Sequence, residues 1–296
     1  MSRIRLLVQP DDGAEPVLDA IEKAERAIDV YVFRLTYPKL ERALADAVAR
    51  GVAVRALIAH INGSGEASLR ELESRLLGIG VTVSRTDEDL LRYHGKMMIV
   101  DESVLYVLGY NFTRRDIDRS RSLGLITDRK DLVAEGRRLF DADFDRKTYT
   151  PKLETFLVSP LNSRASLLEL LESAQRRLWI YDSRLTDNMM QRVLERRALA
   201  GVDVRVIGKV EKRLRGVNVA AYAGDRLHVR AIVQDDERAF VGSQSLRRPE
   251  LDRRREIGVI TDDSGIVKGI SKIFESDWAE TPQARRRRSA KVRAVR

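Results

Sequence analysis

The chain has 296 residues, 54 Lys and Arg against 45 Asp and Glu, three His, no Cys and a formal net charge of +9. The missing cysteines exclude disulfides, thiolate catalysis, Fe–S clusters and Cys-based zinc sites. A hydrophobic fraction of 43% suffices for a buried core, the length fits about two domains, and the positive balance points to an anionic partner: nucleic acid, an acidic membrane surface or a phosphorylated substrate. The first apolar run, Ile4–Val8, is interrupted by Arg5 and stopped by Pro10, Asp11 and Asp12. It is too short and too charged for a signal peptide. No window approaches the ~18 uninterrupted apolar residues of a spanning helix. The expectation is a cytoplasmic protein, with peripheral membrane contact at most.

An internal repeat appears next along the chain. Residues 21–58 and 171–208 align at an offset of 150, matching Arg34-Leu35-Thr36 with Arg184-Leu185-Thr186 and Gly51-Val52 with Gly201-Val202. Each copy reads as a helix end, an apolar strand (Ile28–Phe33, Trp179–Tyr181), an amphipathic helix (about 38–50 and 188–200), a glycine suited to a helix C-terminus and a Val-rich strand (52–58, 202–207).

A second block pairs 92–128 with 226–262 at an offset of 134, fixed by the shared tail Gly124-Leu125-Ile126-Thr127-Asp128 and Gly258-Val259-Ile260-Thr261-Asp262. The first copy therefore holds about 16 extra residues, roughly 62–80, with a helix expected over Ala67–Leu77. Helices over about 129–146 and 264–278 close the two copies. Periodicity explains matching apolar positions, but not identical RLT, ITD and Gly placements in one order. The strand–helix alternation implies an α/β fold of two similar halves, each a mixed β-sheet flanked by helices. The expected division is 1–150, 151–283 and a basic tail, 284–296.

Two of the three histidines occupy equivalent repeat positions. His94 is followed by Lys96 at +2 and Asp101 at +7; His228 is followed by Arg230 at +2 and Asp235 at +7. Both are expected on strands, where residues i and i+2 share a face, so each copy should project an imidazole beside a cation. The aspartates fall past the strand, at the turn into the next one (Leu105–Leu108, Ala239–Val241). They read as turn or ion-pair residues rather than catalysts.

At these residues the chain resembles the phospholipase D superfamily, whose signature is a duplicated H-x-K-x4-D followed by a small-residue motif of the G-S/G-x-N type. Copy one has the full first motif and then Gly109-Tyr110-Asn111; copy two has Arg230 in the Lys place and Gly242-Ser243-Gln244-Ser245, with Ser in the Asn place. Glu256 matches a family glutamate that orients a catalytic His, whereas Ser122 stands there in copy one. The resemblance covers nearly all of residues 1–280. It implies halves related by pseudo-twofold symmetry with one active site between them, and a monomer that carries both motifs.

The resemblance further implies a phosphodiesterase or phosphatidyltransferase working through a phosphohistidine, with His94 as nucleophile and His228 as general acid and base. Lys96 and Arg230 would neutralise the phosphodiester, and Asn111 and Ser245 would add hydrogen bonds. No metal or other cofactor is implied. Phospholipid is the favoured substrate. A metal-independent nuclease, or a weakened module that only binds phosphate or nucleic acid, are the alternatives; Arg230, Ser245 and Ser122 motivate the last.

Other features stay open at this level. His60 reads as a surface residue, because copy two has no equivalent. The Arg-rich runs Arg114–Arg121 and Arg247–Arg255, interleaved with Asp116, Asp118, Glu250 and Asp252, fit either a salt-bridged surface or an anion-attracting rim. Tyr110 and Phe112 either line the cleft or pack. The tail from Ala284 has seven basic residues and no acid, most of the net charge, and reads as disordered, with anionic lipid or nucleic acid as its partner if it has one.

Overall fold

The computed structural model describes residues 3–284; most of the basic tail, 285–296, lies outside the described residues. The first half runs β1 (Ile4–Gln9), α1 (Glu15–Glu22), β2 (Ala27–Val32), α2 (Pro38–Ala49), β3 (Ala53–Ile58), α3 (Glu66–Gly78), β4 (Thr82–Arg85), β5 (Arg92–Tyr93), β6 (Met97–Val100), β7 (Val104–Leu108), α4 (Arg114–Arg119), β8 (Ser122–Thr127) and α5 (Lys130–Phe144). The second half runs β9 (Phe156–Val158), α6 (Ser163–Glu172), β10 (Arg177–Leu185), α7 (Asn188–Leu199), β11 (Asp203–Val210), β12 (Asn218–Ala220), β13 (Arg230–Gln234), β14 (Arg238–Gly242), α8 (Arg248–Asp252), β15 (Arg254–Arg255), β16 (Ile257–Thr261) and α9 (Ser264–Glu280). Among the described residues, no helix is long and apolar enough to cross a membrane.

Two seven-stranded mixed sheets result, ordered β1-β8-β7-β6-β2-β3-β4 and β9-β16-β14-β13-β10-β11-β12. The orders correspond strand for strand, as the two repeat offsets require. Strands β2 and β10 are nearly continuous apolar runs because both faces are covered, which is the pattern of a buried parallel pair. Helices α1 and α2 pack on the outer face of the first sheet, and α6 and α7 on that of the second. Between the sheets lies a shared core: Leu139 and Phe140 of α5 and Ile270 and Phe274 of α9 join Met97, Val107, Ala231 and Val241 from the facing strands. The inserted segment forms α3, one residue longer at each end than the sequence suggests.

Asp101 and Asp235 perform one structural task twice. The Asp101 carboxylate accepts from the backbone N–H groups of Glu25, Arg26 and Ala27, the closest at 2.7 Å. Asp235 does the same for Gln175, Arg176 and Arg177, again at 2.7 Å for the closest. Each carboxylate thereby ties the start of the central strand to the hairpin that follows the histidine. Both residues have positive φ, 50° and 54°, a conformation that Asp tolerates better than most side chains.

The halves are joined by a pair of buried ionic links that sequence reading leaves inside the Arg-rich runs. Arg255 reaches Asp143 at 3.0 Å, and Tyr31 donates to the same carboxylate at 2.9 Å. At the symmetry-equivalent place Arg121 meets Asp277 at 3.0 Å and Tyr181 donates to it at 2.6 Å. Each arginine belongs to the half opposite its carboxylate. These two arginines are therefore neither solvated surface nor anion rim. Removing one partner leaves a buried charge uncompensated, which costs about 3–5 kcal/mol. Asp143→Ala should lower the unfolding free energy by that amount in a denaturant titration; an unchanged midpoint would show that the link contributes nothing.

Candidate active site

The two histidines do not lie on strands, contrary to the sequence expectation. His94 and Lys96 occupy the extended link between β5 and β6, and His228 precedes β13, of which Arg230 is the first residue. The reason is that the backbone here pairs with the other half instead of with its own sheet. Strand β5 pairs with β15, and the His94 N–H donates to the Arg255 carbonyl at 2.7 Å. Equivalently, the His228 N–H donates to the Arg121 carbonyl at 3.0 Å. The pseudo-twofold contact thus positions both imidazoles, and the same-face expectation survives because the links are extended.

His94 and His228 are only 9% and 8% exposed, so both rings sit at the base of a narrow opening. The Glu256 carboxylate, 0% exposed, approaches His94 Nδ1 at 2.8 Å from the opposite half. With Nδ1–H donating to Glu256, Nε2 keeps its lone pair. Lys96 Nζ donates to the His94 carbonyl at 2.6 Å and lies 2.8 and 2.9 Å from the two ring nitrogens. Near-equal distances to both nitrogens place the ammonium against the ring face, not along one lone pair. Phe33 meets the same imidazole edge-on at 4.4 Å between centroids.

The second histidine also faces a carboxylate from the opposite half, but from an unexpected position. Asp116 Oδ2 lies 3.5 Å from His228 Nδ1. It occupies α4, six residues before Ser122, which sequence alignment matches to Glu256. Asp116 reads in sequence as one more acid among surface arginines, yet it is buried. Its carboxylate also accepts from the Asn111 side-chain amide at 2.6 Å and the Asn111 N–H at 2.9 Å, and pairs with Arg226. Asn111 therefore holds the carboxylate that faces His228. The available signal was Asn111-x4-Asp116, placing the acid one helical turn after a Thr113 N-cap; no repeat comparison reveals it, because copy two uses Glu250 there for Arg247 and Arg254.

Arg230 bonds the His228 carbonyl at 2.7 Å and Ser245 Oγ at 3.1 Å. The shorter Ser245 thus meets a longer cation, so Arg230 and Ser245 form one unit. Asp182, buried under this unit where copy one has Val32, accepts from the Leu246 N–H at 2.6 Å. It is a further site-side carboxylate that the alignment does not flag.

Burial and the crowd of cations set the protonation states. Burial, followed by Lys96 and Arg230, pushes His94 well below the ordinary imidazole value. Burial and Arg230 do the same to His228, against the opposing pull of Asp116. Both rings are neutral in the empty site at neutral pH. Burial drives Glu256 up to about 7. Burial also draws Lys96 down to about 7. Burial would raise Asp116, but His228, the Asn111 N–H and Arg226 outweigh it and hold the carboxyl down to about 2.

Three other residues are placed differently from, or more definitely than, the sequence reading. His60 is half-buried, not superficial: its ring lies 3.1 Å from Thr86 Oγ1 and edge-on to Tyr93. Tyr110 and Phe112 are fully buried packing residues of the first half.

Comparison with known proteins follows this geometry. A family model described as "Cardiolipin synthase, PLD-like domain" matches residues 17–144 and 167–278. Cardiolipin synthase A of Pseudomonas aeruginosa is 25% identical over 341 residues, an overlap of 96% of this chain and 69% of that protein. Among solved structures, phosphatidylserine synthase of Haemophilus influenzae superposes with a TM-score of 0.68 at 11% identity, covering 94% of this chain and 85% of that one. A polyphosphate kinase of Porphyromonas gingivalis gives a TM-score of 0.76 at 18% identity, covering 92% of this chain but only 50% of the kinase chain. At such identities the two structures speak to the fold alone.

Proposed function

The chain belongs to the phospholipase D superfamily, in the family of cardiolipin synthase PLD-like domains, and on that premise we propose that it cleaves a phospholipid phosphodiester through a phosphohistidine, passing the phosphatidyl group to an alcohol or to water. The observation that carries this reading is the pair of imidazoles, each backed by a carboxylate from the opposite half: Glu256 at His94 and Asp116 at His228.

The Nε2 lone pair of neutral His94 attacks phosphorus. The bond to the leaving oxygen breaks, and His228 donates its proton to that oxygen. The acceptor oxygen then attacks phosphorus, the N–P bond breaks, and His228 takes the acceptor's proton. Lys96 and Arg230 lie close enough to depress both imidazoles, so they are also placed to neutralise a phosphate held between the rings. That phosphate returns negative charge to the site and raises His228 toward the protonated form that a general acid needs. The better-oriented ring, His94 at 2.8 Å from its carboxylate against 3.5 Å for His228, is assigned as nucleophile. Asp101 and Asp235 hold the hairpins and take no part in the chemistry. Peripheral contact with an anionic membrane would supply the lipid.

Phosphatidylglycerol, phosphatidylcholine and single- and double-stranded DNA assayed in parallel, with EDTA present, test this reading. Turnover of phospholipid in EDTA is expected, because two side-chain cations neutralise the diester. DNA cleavage without lipid turnover would replace the lipid reading with a nuclease. Stoichiometric phosphate binding with no turnover of any diester would reduce the site to a binding module.

A further inference from the structure

Two arginines beside His94 stand without the ion pairs that their repeat counterparts make. Arg184, the counterpart of Arg34, pairs with Glu211 at 2.9 Å, whereas the same register places the neutral Ile61 near Arg34. Arg226, the counterpart of Arg92, pairs with Asp116; the matching acid for Arg92 is Glu250, which is occupied by Arg254 at 2.9 Å and Arg247 at 3.0 Å. Neither Arg34 nor Arg92 makes an ion pair among the described residues, and the Nε of each is buried without a hydrogen-bond partner.

Both guanidinium groups gather around one ring. Arg92 lies 5.5 Å and Arg34 5.9 Å from the centroid of Phe33, and Lys96 Nζ lies 5.4 Å from it. The same ring meets the His94 imidazole. Phe33 has Ser183 as its counterpart, so this platform exists in one half only. The loop that leads into the inserted α3 closes over it: a Cβ on Gly63 would fall 2.8 Å from an Arg34 nitrogen, so glycine permits the approach. Burial and the neighbouring Arg254 lower the pKa of Arg92, as expected where cations outnumber counter-charges.

Unpaired, partly desolvated guanidinium groups are costly unless an anion completes them. We propose that Arg34 and Arg92, spread around Phe33, form a second anion subsite beside the catalytic pair that takes a second phosphate of the substrate, joined to the scissile one by a short bridge. The inference rests on the phospholipid reading for the source of that phosphate, and it deepens that reading to lipids whose headgroup carries two phosphates. The one-sided platform also gives the otherwise symmetric cleft a direction, so substrate enters in one orientation.

Calorimetric titration with 1,3-propanediol bisphosphate and with propyl phosphate tests the subsite without any turnover. The bisphosphate should bind wild type at least 10-fold more tightly than the monophosphate. In Arg34→Gln/Arg92→Gln that ratio should fall to about one, and Arg34→Lys/Arg92→Lys should restore part of it. Equal affinities in wild type, including no measurable binding of either, or an unchanged ratio in the glutamine variant, would overturn the proposal. The source is read separately from KM. A rise confined to a two-phosphate lipid in mixed micelles supports the lipid source. A rise confined to a short 5′-phosphorylated oligonucleotide keeps the subsite and removes the phospholipid reading.

Discussion

His94→Ala should lower turnover of bis(p-nitrophenyl) phosphate by at least about 10⁴-fold, because loss of a covalent nucleophile leaves only binding and electrostatic stabilisation. His228→Ala should lower steady-state turnover by about 10²–10⁴-fold, the usual contribution of a positioned acid or base. The two variants should differ in kind as well. p-Nitrophenolate is a good leaving group and needs no proton. His228→Ala should therefore still release about one nitrophenol per protein molecule in a burst, then stall, since the acceptor has no base. His94→Ala should show no burst. Rapid mixing with absorbance detection reads both results. Full activity in either variant would sink the two-histidine scheme, and a burst in His94→Ala with none in His228→Ala would exchange the roles.

The second large effect is expected from Glu256. An ionised Glu256 is what holds His94 with its proton on Nδ1 and its lone pair on Nε2. Burial places the carboxyl at about 7, above its unfolded value, so it is protonated and the orientation lost as pH falls through that value. Burial places the Lys96 ammonium at about 7, below its unfolded value, so its charge is lost as pH rises through that value. For the free enzyme, kcat/KM should then be bell-shaped with both limbs close to pH 7, as macroscopic values of the coupled Glu256, His94 and Lys96 set. Bound phosphate stabilises the Lys96 charge, so the alkaline limb of kcat should move to higher pH. Glu256→Gln should lower kcat by about 10⁴-fold, by analogy with removing the charge behind a catalytic imidazole elsewhere, and should erase the acid limb near 7. Glu256→Asp should restore that limb with part of the rate. A Gln variant that keeps the wild-type acid limb would assign it to another group.

Stability follows the same signs. The raised Glu256 carboxyl is ionised at a cost in the folded state, so its burial destabilises the fold increasingly as pH rises from its unfolded value through about 7. The depressed Lys96 ammonium penalises the fold below about 7 and relaxes above it. The site thus carries two opposed pH-dependent strains, and a bound phosphodiester relieves the second.

The repeat made much of this legible in advance. Two offsets, 150 and 134, place corresponding strands in corresponding sheets, and the motif His94-x-Lys96 with His228-x-Arg230 identifies the paired rings and cations. The alignment compares a residue with its counterpart, however, and the decisive contacts run between a residue and its partner across the pseudo-twofold axis. Asp116 meets His228, Glu256 meets His94, Arg255 meets Asp143 and Arg121 meets Asp277, at separations of up to 162 residues. Nothing in local periodicity couples such positions. The same cause misplaces the histidines on strands: their backbone hydrogen bonds go to the other half, so an extended run that looks like the start of β6 or β13 never joins its own sheet. Arg121 and Arg255 illustrate the limit from the opposite side. In sequence they are members of a charge run, and only their burial against Asp277 and Asp143 separates them from exposed neighbours such as Arg248.

The central claim is that two halves assemble one site in which His94 attacks phosphorus. Acid-labile, base-stable phosphate can be sought by quenching wild type in alkali during turnover of bis(p-nitrophenyl) phosphate and mapping the modified peptide by mass spectrometry. The account predicts a phosphoryl adduct on His94, enriched in His228→Ala and absent in His94→Ala. An adduct on His228, or turnover that proceeds with no protein adduct even in His228→Ala, would contradict it.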